Sequence, residues 1–241
     1  MAAADYSADQ AIRTPQFWLL WMVLCLNVSA GIGVLGQASP MIQEMFPGVI
    51  SAGAAAGFVG LLSLANMGGR FFWSSLSDRI GRKVVYGVFF LLGAVLYALV
   101  PATGRAGSVA LFVLGYVVII SMYGGGFATI PAYLRDLFGT IQVGAIHGRL
   151  LTAWSAAGVA GPLIINAIAD KQAAAGKSGA DLYTLSLYIM VGVLIVGFIA
   201  NLLIRPVNER FHEPAERHTR FERADTAPAT AAPAAAATER S

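Results

Sequence analysis

Charged side chains are scarce in this sequence. Aspartate, glutamate, lysine and arginine make up 12% of its 241 residues, against roughly 25% in an ordinary soluble domain. Hydrophobic residues make up 57% of the chain, and they occur in runs of about 20 residues, the length that a helix needs to cross the hydrocarbon core of a bilayer. The composition excludes an ordinary soluble domain and predicts an integral membrane protein.

Cysteine and the motifs of common enzymes are also missing. The single cysteine, Cys25, lies in the first apolar run, which excludes an intramolecular disulfide and a site built from several cysteines. The three histidines have no second ligand at metal-binding spacing, and the runs contain no paired carboxylates, nucleophile elbow or phosphate-binding glycine loop. We therefore expect no metal, no cofactor and no enzymatic activity. The basic residues form no face interleaved with aromatics, so nucleic acid is not an expected partner.

Six runs are long enough to span a membrane and contain no aspartate, glutamate, lysine or arginine. They cover residues 16–38, 50–69, 84–100, 108–130, 150–169 and 182–204. The second run stops before Arg70, although its helix could continue through residues 71–73 to the interface. No stretch shows the alternation over about ten residues that is typical of outer-membrane barrel strands. The sequence predicts an all-α integral membrane protein with six transmembrane helices.

Basic residues are distributed unevenly between the two sides of these helices. Of the 16 lysines and arginines, 13 fall on the side of the N-terminus and 3 (Arg105, Lys171 and Lys177) on the other side. The positive-inside rule then predicts that both termini are cytoplasmic, in a bacterial inner membrane. We divide the chain into a cytoplasmic segment over residues 1–15, a transmembrane domain over 16–205 and a cytoplasmic tail over 206–241. The alanine- and proline-rich composition of the tail predicts disorder.

A cluster of charge separates the second run from the third, in the stretch S-S-L-S-D-R-I-G-R-K over residues 74–83. We interpret it as a loop whose glycine allows a tight turn. The stretch resembles the signature loop of the major facilitator superfamily, G-x-L-x-D-R-x-G-R-K, with a serine where the family usually has glycine. The resemblance implies a conformational latch, in which the acid pairs with bases and with a neighbouring helix end in one transport state. The latch residues would be Asp78, Arg79, Gly81, Arg82 and Lys83.

A second similarity covers about residues 5–205. Its strongest stretches are R-T-P-Q-F-W-L-L-W (13–21), G-Q-A-S-P-M-I-Q (36–43), Y-G-G-G-F-A-T-I-P-A-Y-L-R-D-L-F-G (123–139) and A-I-H-G-R-L-L-T-A-W-S-A-A-G-V-A-G-P (145–162). These resemble the C-terminal half of oxalate/formate antiporter-type facilitators. The resemblance implies one half, a 3+3 repeat, of a twelve-helix major facilitator fold that carries small organic anions by alternating access.

The resemblance is compatible with three origins of such a half. The chain is a separately encoded half, a truncated product, or the product of a wrongly assigned start. As a half it would need a complementary N-terminal six-helix half or a second copy of itself, besides the lipid bilayer and a carboxylate substrate. In an isolated monomer, lipid would otherwise meet the faces that carry Asn27, Gln37, Asn66, Arg70 and Tyr123. The alternative is a truncated or accessory six-helix membrane protein without transport activity of its own.

Five residues are candidates for a substrate-binding site. They are Arg70, Asn66, Gln37, Tyr123 and Trp154. An arginine within a span is costly and usually faces a polar cavity, where its planar guanidinium can bind a carboxylate through two hydrogen bonds. Asn66 lies one turn before it. The alternatives are that the helix ends early and Arg70 reaches the interface, that Gln37 lies at the outer interface, and that Trp154 only packs.

Two further features of the sequence concern the substrate and the pathway. A dicarboxylate carrier is expected to place a second base in the cavity, but residues 151–155 read L-T-A-W-S and contain no lysine. This favours a monocarboxylate such as formate or lactate over oxalate, without fixing the anion, the coupling ion or the oligomeric state. Residues 124–126, all glycine, together with Pro131, could form a flexible break or a site of close helix packing.

Overall fold

The computed structural model describes residues 5–208, and this part of the chain forms nine helices and no strand. The helices are α1 (Ala8–Ala11), α2 (Pro15–Gly36), α3 (Ala38–Met45), α4 (Ala52–Ile80), α5 (Arg82–Arg105), α6 (Val109–Phe138), α7 (Val143–Leu150), α8 (Thr152–Ala174) and α9 (Ala180–Leu203). Six segments are long and apolar enough to cross a bilayer, namely α2, α4, α5, α6, α7 with α8, and α9. The predicted all-α membrane fold is confirmed. Most of the predicted tail, from residue 209 onward, lies outside the described residues.

Several helices extend beyond the apolar runs that predicted them. Helix α4 continues to Ile80, and α6 continues to Phe138. The interpretation of residues 74–83 as a loop is wrong, because Gly81 alone separates α4 from α5. Its φ of +92° is a conformation that favours glycine. Hydropathy marks where the hydrocarbon ends, whereas a helix continues through residues such as arginine that have a good helix propensity.

The six long helices form two sets of three that pack in the same way. Helix α4 of the first set packs along α6 of the second, and α8 makes the matching contact with α2. Helices α5 and α9 pack against each other, and each also contacts the first helix of the other set. The order α2, α4, α5 is therefore repeated as α6, α8, α9. This is the 3+3 arrangement of one half of a major facilitator fold.

Glycines bring the helices of the two sets into close contact. A Cβ atom at Gly69 of α4 or at Gly124 of α6 would overlap the backbone of the other helix, and one at Gly161 of α8 would overlap the backbone of α2. Small residues allow this approach where no hydrophobic effect drives helices together. Helix α6 is continuous through the three glycines and Pro131. In this structure the glycine triplet serves helix packing and not a break in the helix.

The segment before α2 is held against the connection between α6 and α7. A carboxylate oxygen of Asp5 accepts hydrogen bonds from the backbone N–H groups of Thr140 and Ile141, at 2.6 and 3.2 Å. Asp9 forms an ion pair of 2.7 Å with Arg149 on α7. The N-terminal segment of the first set of helices is thus docked on the second set. We refer to this end of the bundle as the N-terminal side.

Candidate functional site

Arg70 lies well inside a transmembrane helix. Asn66 is the middle residue of α4, and Arg70 follows it by one turn. The helix continues for ten residues beyond Arg70, which is about 15 Å at 1.5 Å per residue. The alternative in which the helix ends early, with Arg70 at its end, therefore does not describe this structure.

Arg70 contacts side chains of its own helix and of the second repeat. Its Nε donates a hydrogen bond of 3.2 Å to Oδ1 of Asn66, and its Cζ lies 5.2 Å from the centre of the Phe127 ring on α6. Phe127 packs edge-to-face on Trp154 of α8, with 4.6 Å between ring centres. Trp154 lies 5.8 Å from the ring of Tyr123. These five residues, which we call the Arg70 cluster, include four of the five predicted site residues.

The Arg70 guanidinium is available to an anion. The side chain is exposed on the surface of the bundle, and within residues 5–208 it takes part in none of the ion pairs. Among the described residues, Nε is the only nitrogen of this group that donates a hydrogen bond, so the two terminal nitrogens keep their N–H donors. A carboxylate that accepts two parallel hydrogen bonds is the natural partner of such a group.

Gln37 is separated from this cluster. It follows the last residue of α2, at the end of that helix opposite to the N-terminal side, and its Nε2 donates a hydrogen bond of 2.5 Å to Oδ1 of Asn166 on α8. Its position in the sequence gave no information on which side chain of a neighbouring helix it would meet. In the structure Gln37 links α2 to α8, and the Arg70 cluster forms without it.

Phe127 and Asn166 are not among the site residues that the sequence predicts. A phenylalanine in an apolar run gives no polar signal, so Phe127 looks like any lipid-facing or buried residue. Its distance of four residues from Tyr123 places the two on the same face of α6, and this spacing could have identified it. Asn166 is a polar residue within a predicted span and carried the same type of signal as Asn66.

The signature residues form an ionic contact at the junction of three helices. Arg82, whose side chain is only 12% exposed, places Nη2 2.5 Å from Oδ1 of Asp78. Its Nε lies 3.5 Å from Oδ2 of Asp136, in the last turn of α6. A third contact is the hydrogen bond of 2.5 Å that its Nη1 donates to Oγ of Ser77. Asp78 is thus paired inside the signature stretch, and Arg82 makes the contact with the neighbouring helix.

The other signature residues have separate roles in this structure. Lys83 donates hydrogen bonds from Nζ to the carbonyl oxygens of Leu202 and Ile204, at 2.8 and 2.7 Å. A cation at the C-terminal end of a helix satisfies free carbonyls and interacts favourably with the helix dipole. Gly81 forms the turn, and Arg79 is exposed, without an ion pair in the described part of the chain. It is Lys83, and not Asp78, that binds a neighbouring helix end.

The fold and the site together define a class of protein. Six apolar helices in two repeated sets of three, with one cationic side chain near the middle of a span, are the architecture of one half of a secondary transporter. Residues 38–237 match the family model of the Major Facilitator Superfamily. This match covers most of the chain, and the chain belongs to that superfamily of membrane transporters. The family indicates a transporter and not an enzyme.

Curated relatives support the narrower resemblance to oxalate/formate antiporter-type facilitators. The chain is 31% identical over 157 residues to the oxalate:formate antiporter of Oxalobacter formigenes, a match that covers 65% of this chain and 37% of that protein. It is 26% identical over 145 residues to the uncharacterized MFS-type transporter YhjX of Escherichia coli K12, covering 60% of this chain and 35% of the relative. The chain spans little more than a third of the length of these relatives.

Proposed function

We propose that the chain transports small organic anions, in particular monocarboxylates such as formate or lactate, as one half of a secondary transporter that works by alternating access. The observation that carries this proposal is the exposed and unpaired guanidinium of Arg70 near the middle of α4. Asn66 orients its Nε, the ring of Phe127 lies against the guanidinium, and Trp154 packs on Phe127. A carboxylate bound to the terminal nitrogens of Arg70 would lie beside these two rings, which we call the aromatic wall.

The charge at the site favours a singly charged substrate. Helix α8, which supplies Trp154, contains no lysine or arginine before Lys171 in its last turn. A dicarboxylate bound at Arg70 would keep one negative charge without a partner in surroundings of low polarity, which is costly. The relative from Oxalobacter formigenes is named for both oxalate and formate. Of these two anions, formate matches the single cation of the Arg70 cluster.

The exposure of Arg70 supports the need for a partner. An arginine that faces hydrocarbon costs at least about 2.5 kcal/mol on insertion scales, and covering this face would remove that cost. The expectation that Asn27 and Tyr123 would also meet lipid is wrong, because they are only 6% and 8% exposed. In our proposal a complementary N-terminal six-helix half covers the Arg70 face and supplies the second wall of the pathway. A second copy of this chain is the other possible partner.

The proposed location is the inner membrane of a bacterium, with both termini in the cytoplasm. The support is the excess of basic residues on the N-terminal side, together with the presence there of Arg82, Lys83 and Arg149 at or near helix ends. In this orientation the signature stretch faces the cytoplasm. Arg105 and Lys171 then lie at the periplasmic ends of α5 and α8.

Uptake into proteoliposomes tests the proposal. The purified chain is reconstituted at a lipid dilution that enforces a monomer, and again together with a co-expressed N-terminal six-helix half, and uptake of labelled formate, lactate and oxalate is measured. We expect no saturable uptake by the monomer, and uptake of formate or lactate in preference to oxalate by the assembled pair. Arg70→Ala should abolish that uptake without preventing assembly.

Two other results would point elsewhere. Saturable, substrate-specific uptake by a demonstrated monomer would refute the half-transporter proposal. Absence of uptake with every partner would favour the alternative of an accessory or truncated membrane protein. The observation behind this alternative is that the chain matches little more than a third of each relative.

A further inference from the structure

An apolar groove runs along the outer surface of the bundle between α5 and α9. Its volume is about 570 Å³. Its walls are formed by the apolar side chains of Val84, Val88, Leu91 and Leu92 of α5 and Phe198 and Leu202 of α9, together with the polar Asn201 of α9. Gly87 leaves the floor of the groove open, since a Cβ atom there would approach no atom closer than the 3.7 Å to Phe198. The helices that carry the Arg70 cluster contribute no side chain to this groove.

Lys83 lies at the end of this groove on the N-terminal side, and a second basic residue, Arg205, is its near neighbour through the end of α9. Lys83 lines the groove itself and is the last residue before the apolar run of α5 begins. Arg205 directly follows Ile204, whose carbonyl oxygen accepts a hydrogen bond from Lys83 Nζ, and its side chain is exposed. Within the described residues, neither cation takes part in an ion pair. This end of the bundle therefore carries two cations that have no acidic partner in the part of the chain that the structure describes.

Lys83 can bind a further acceptor while it holds the end of α9. Its ammonium group has three donors, and the structure uses two of them, for the carbonyl oxygens of Leu202 and Ile204. The third donor is free for an oxygen outside the protein. Since Lys83 precedes the apolar run by one residue, this donor lies at the boundary between hydrocarbon and headgroups, where a lipid phosphate is found.

We propose that this groove binds a phospholipid with an anionic headgroup. An acyl chain would occupy the apolar groove between α5 and α9, and the phosphate would interact with Lys83 and Arg205. Charge complementarity selects this occupant. The groove alone would accept any acyl chain, but two unneutralised cations at its headgroup end favour a lipid that carries a net negative charge over a zwitterionic one. The lipid belongs to the leaflet on the N-terminal side.

Native mass spectrometry of the full chain in detergent tests the proposal. Phosphatidylglycerol and phosphatidylcholine with identical acyl chains are titrated in parallel, and the dissociation constant of the first bound lipid is measured for each. We expect the first phosphatidylglycerol to bind tighter by about fivefold for each basic residue at the site. Arg205→Gln should remove about fivefold of this preference and leave phosphatidylcholine binding unchanged. This variant keeps Lys83 and its contacts with α9, so folding is not at risk.

Further variants separate the groove from general attraction to negative charge. Gly87→Leu should fill the groove and weaken binding of both lipids, whereas Lys171→Gln at the opposite end of the bundle should change neither. The arginine-rich tail is present in every variant and cannot account for differences among them. Inorganic phosphate, which has no acyl chain, should not displace the lipid at millimolar concentration. Equal affinity for the two lipids, or phosphatidylglycerol binding that neither Arg205→Gln nor Gly87→Leu alters, would overturn the proposal.

Discussion

The guanidinium of Arg70 lies 5.2 Å from the centre of the Phe127 ring. This contact joins the second helix of the first repeat to the first helix of the second repeat, at a crossing where glycines bring the two backbones together. The position of the cation is therefore set by the packing of the two repeats.

The first prediction concerns the fork geometry of Arg70. Arg70→Lys keeps the positive charge but loses the two parallel N–H donors, so the affinity for a carboxylate should fall. Arg70→Ala removes every hydrogen-bond donor to the charged carboxylate of the substrate. It should lower the affinity for formate further, by at least about tenfold relative to the wild type. Equilibrium binding of radiolabelled formate to the assembled protein measures both effects. The control is Lys171→Ala, which removes an exposed cation at the end of α8. Normal formate binding by both Arg70 variants would show that Arg70 only anchors its helix in the membrane.

The second prediction concerns the aromatic wall beside Arg70. Phe127→Leu keeps an apolar side chain but removes the ring that faces the guanidinium. A cation–π contact at an exposed site contributes about 0.5–1 kcal/mol, so we expect formate affinity to fall by about two- to fivefold, less than for Arg70→Ala. The measurement is the same binding assay. Phe198→Leu, which removes a ring from α9 away from the cluster, should leave affinity unchanged, and an equal loss in both variants would contradict a local role of Phe127.

The third prediction concerns the crossing of α4 and α6. The methyl group of Gly124→Ala would overlap the backbone at Asn66, and because backbone cannot yield like a flexible side chain, the helices must separate. Overpacking of this type costs about 1–3 kcal/mol, so the thermal unfolding temperature in detergent should fall and formate binding should weaken with it. Gly192→Ala on α9 meets no atom within 4 Å and should be neutral or slightly stabilising. A stable Gly124→Ala protein with normal binding would contradict the proposed packing role.

The fourth prediction concerns the signature stretch. Asp78→Asn removes one of the two carboxylates that pair with Arg82. Because the Asp78 side chain is 65% exposed, the loss should cost no more than about 1 kcal/mol of stability. Transport by the assembled protein should nevertheless fall, if the pair holds one access state as the latch hypothesis requires. Uptake rate and unfolding temperature are measured on the same preparations.

A matched control exists for this variant at the opposite end of the bundle. Asp181, 63% exposed, forms an ion pair of 2.9 Å with Arg105. Asp181→Asn therefore removes a carboxylate of similar exposure from an ion pair outside the signature stretch, and we expect normal transport from it. Wild-type transport by Asp78→Asn would exclude the latch role, and an equal loss in both variants would show a general effect of charge removal.

The sequence by itself determined the class of the protein, the number of spans and the presence of a cation within one of them. The free energy of transfer into a bilayer is close to a sum over about 20 consecutive residues, so a local reading of hydropathy is enough to find the spans. The tight turn at Gly81 can also be predicted from the sequence, because its positive φ is a conformation that favours glycine. Motifs of the signature stretch and of the glycine-rich run then indicated the family.

The tertiary structure alone decided which side chains meet. Phe127 lies against Arg70, and Trp154 packs on Phe127, because close glycine contacts fix where α4 crosses α6 and where α2 crosses α8. Gln37 instead meets Asn166, and Lys83 meets the end of α9 rather than an acid. Contacts of this kind depend on the rotation and depth of each helix relative to its neighbours. These are set by packing between residues far apart in the chain, and hydropathy carries no information about them.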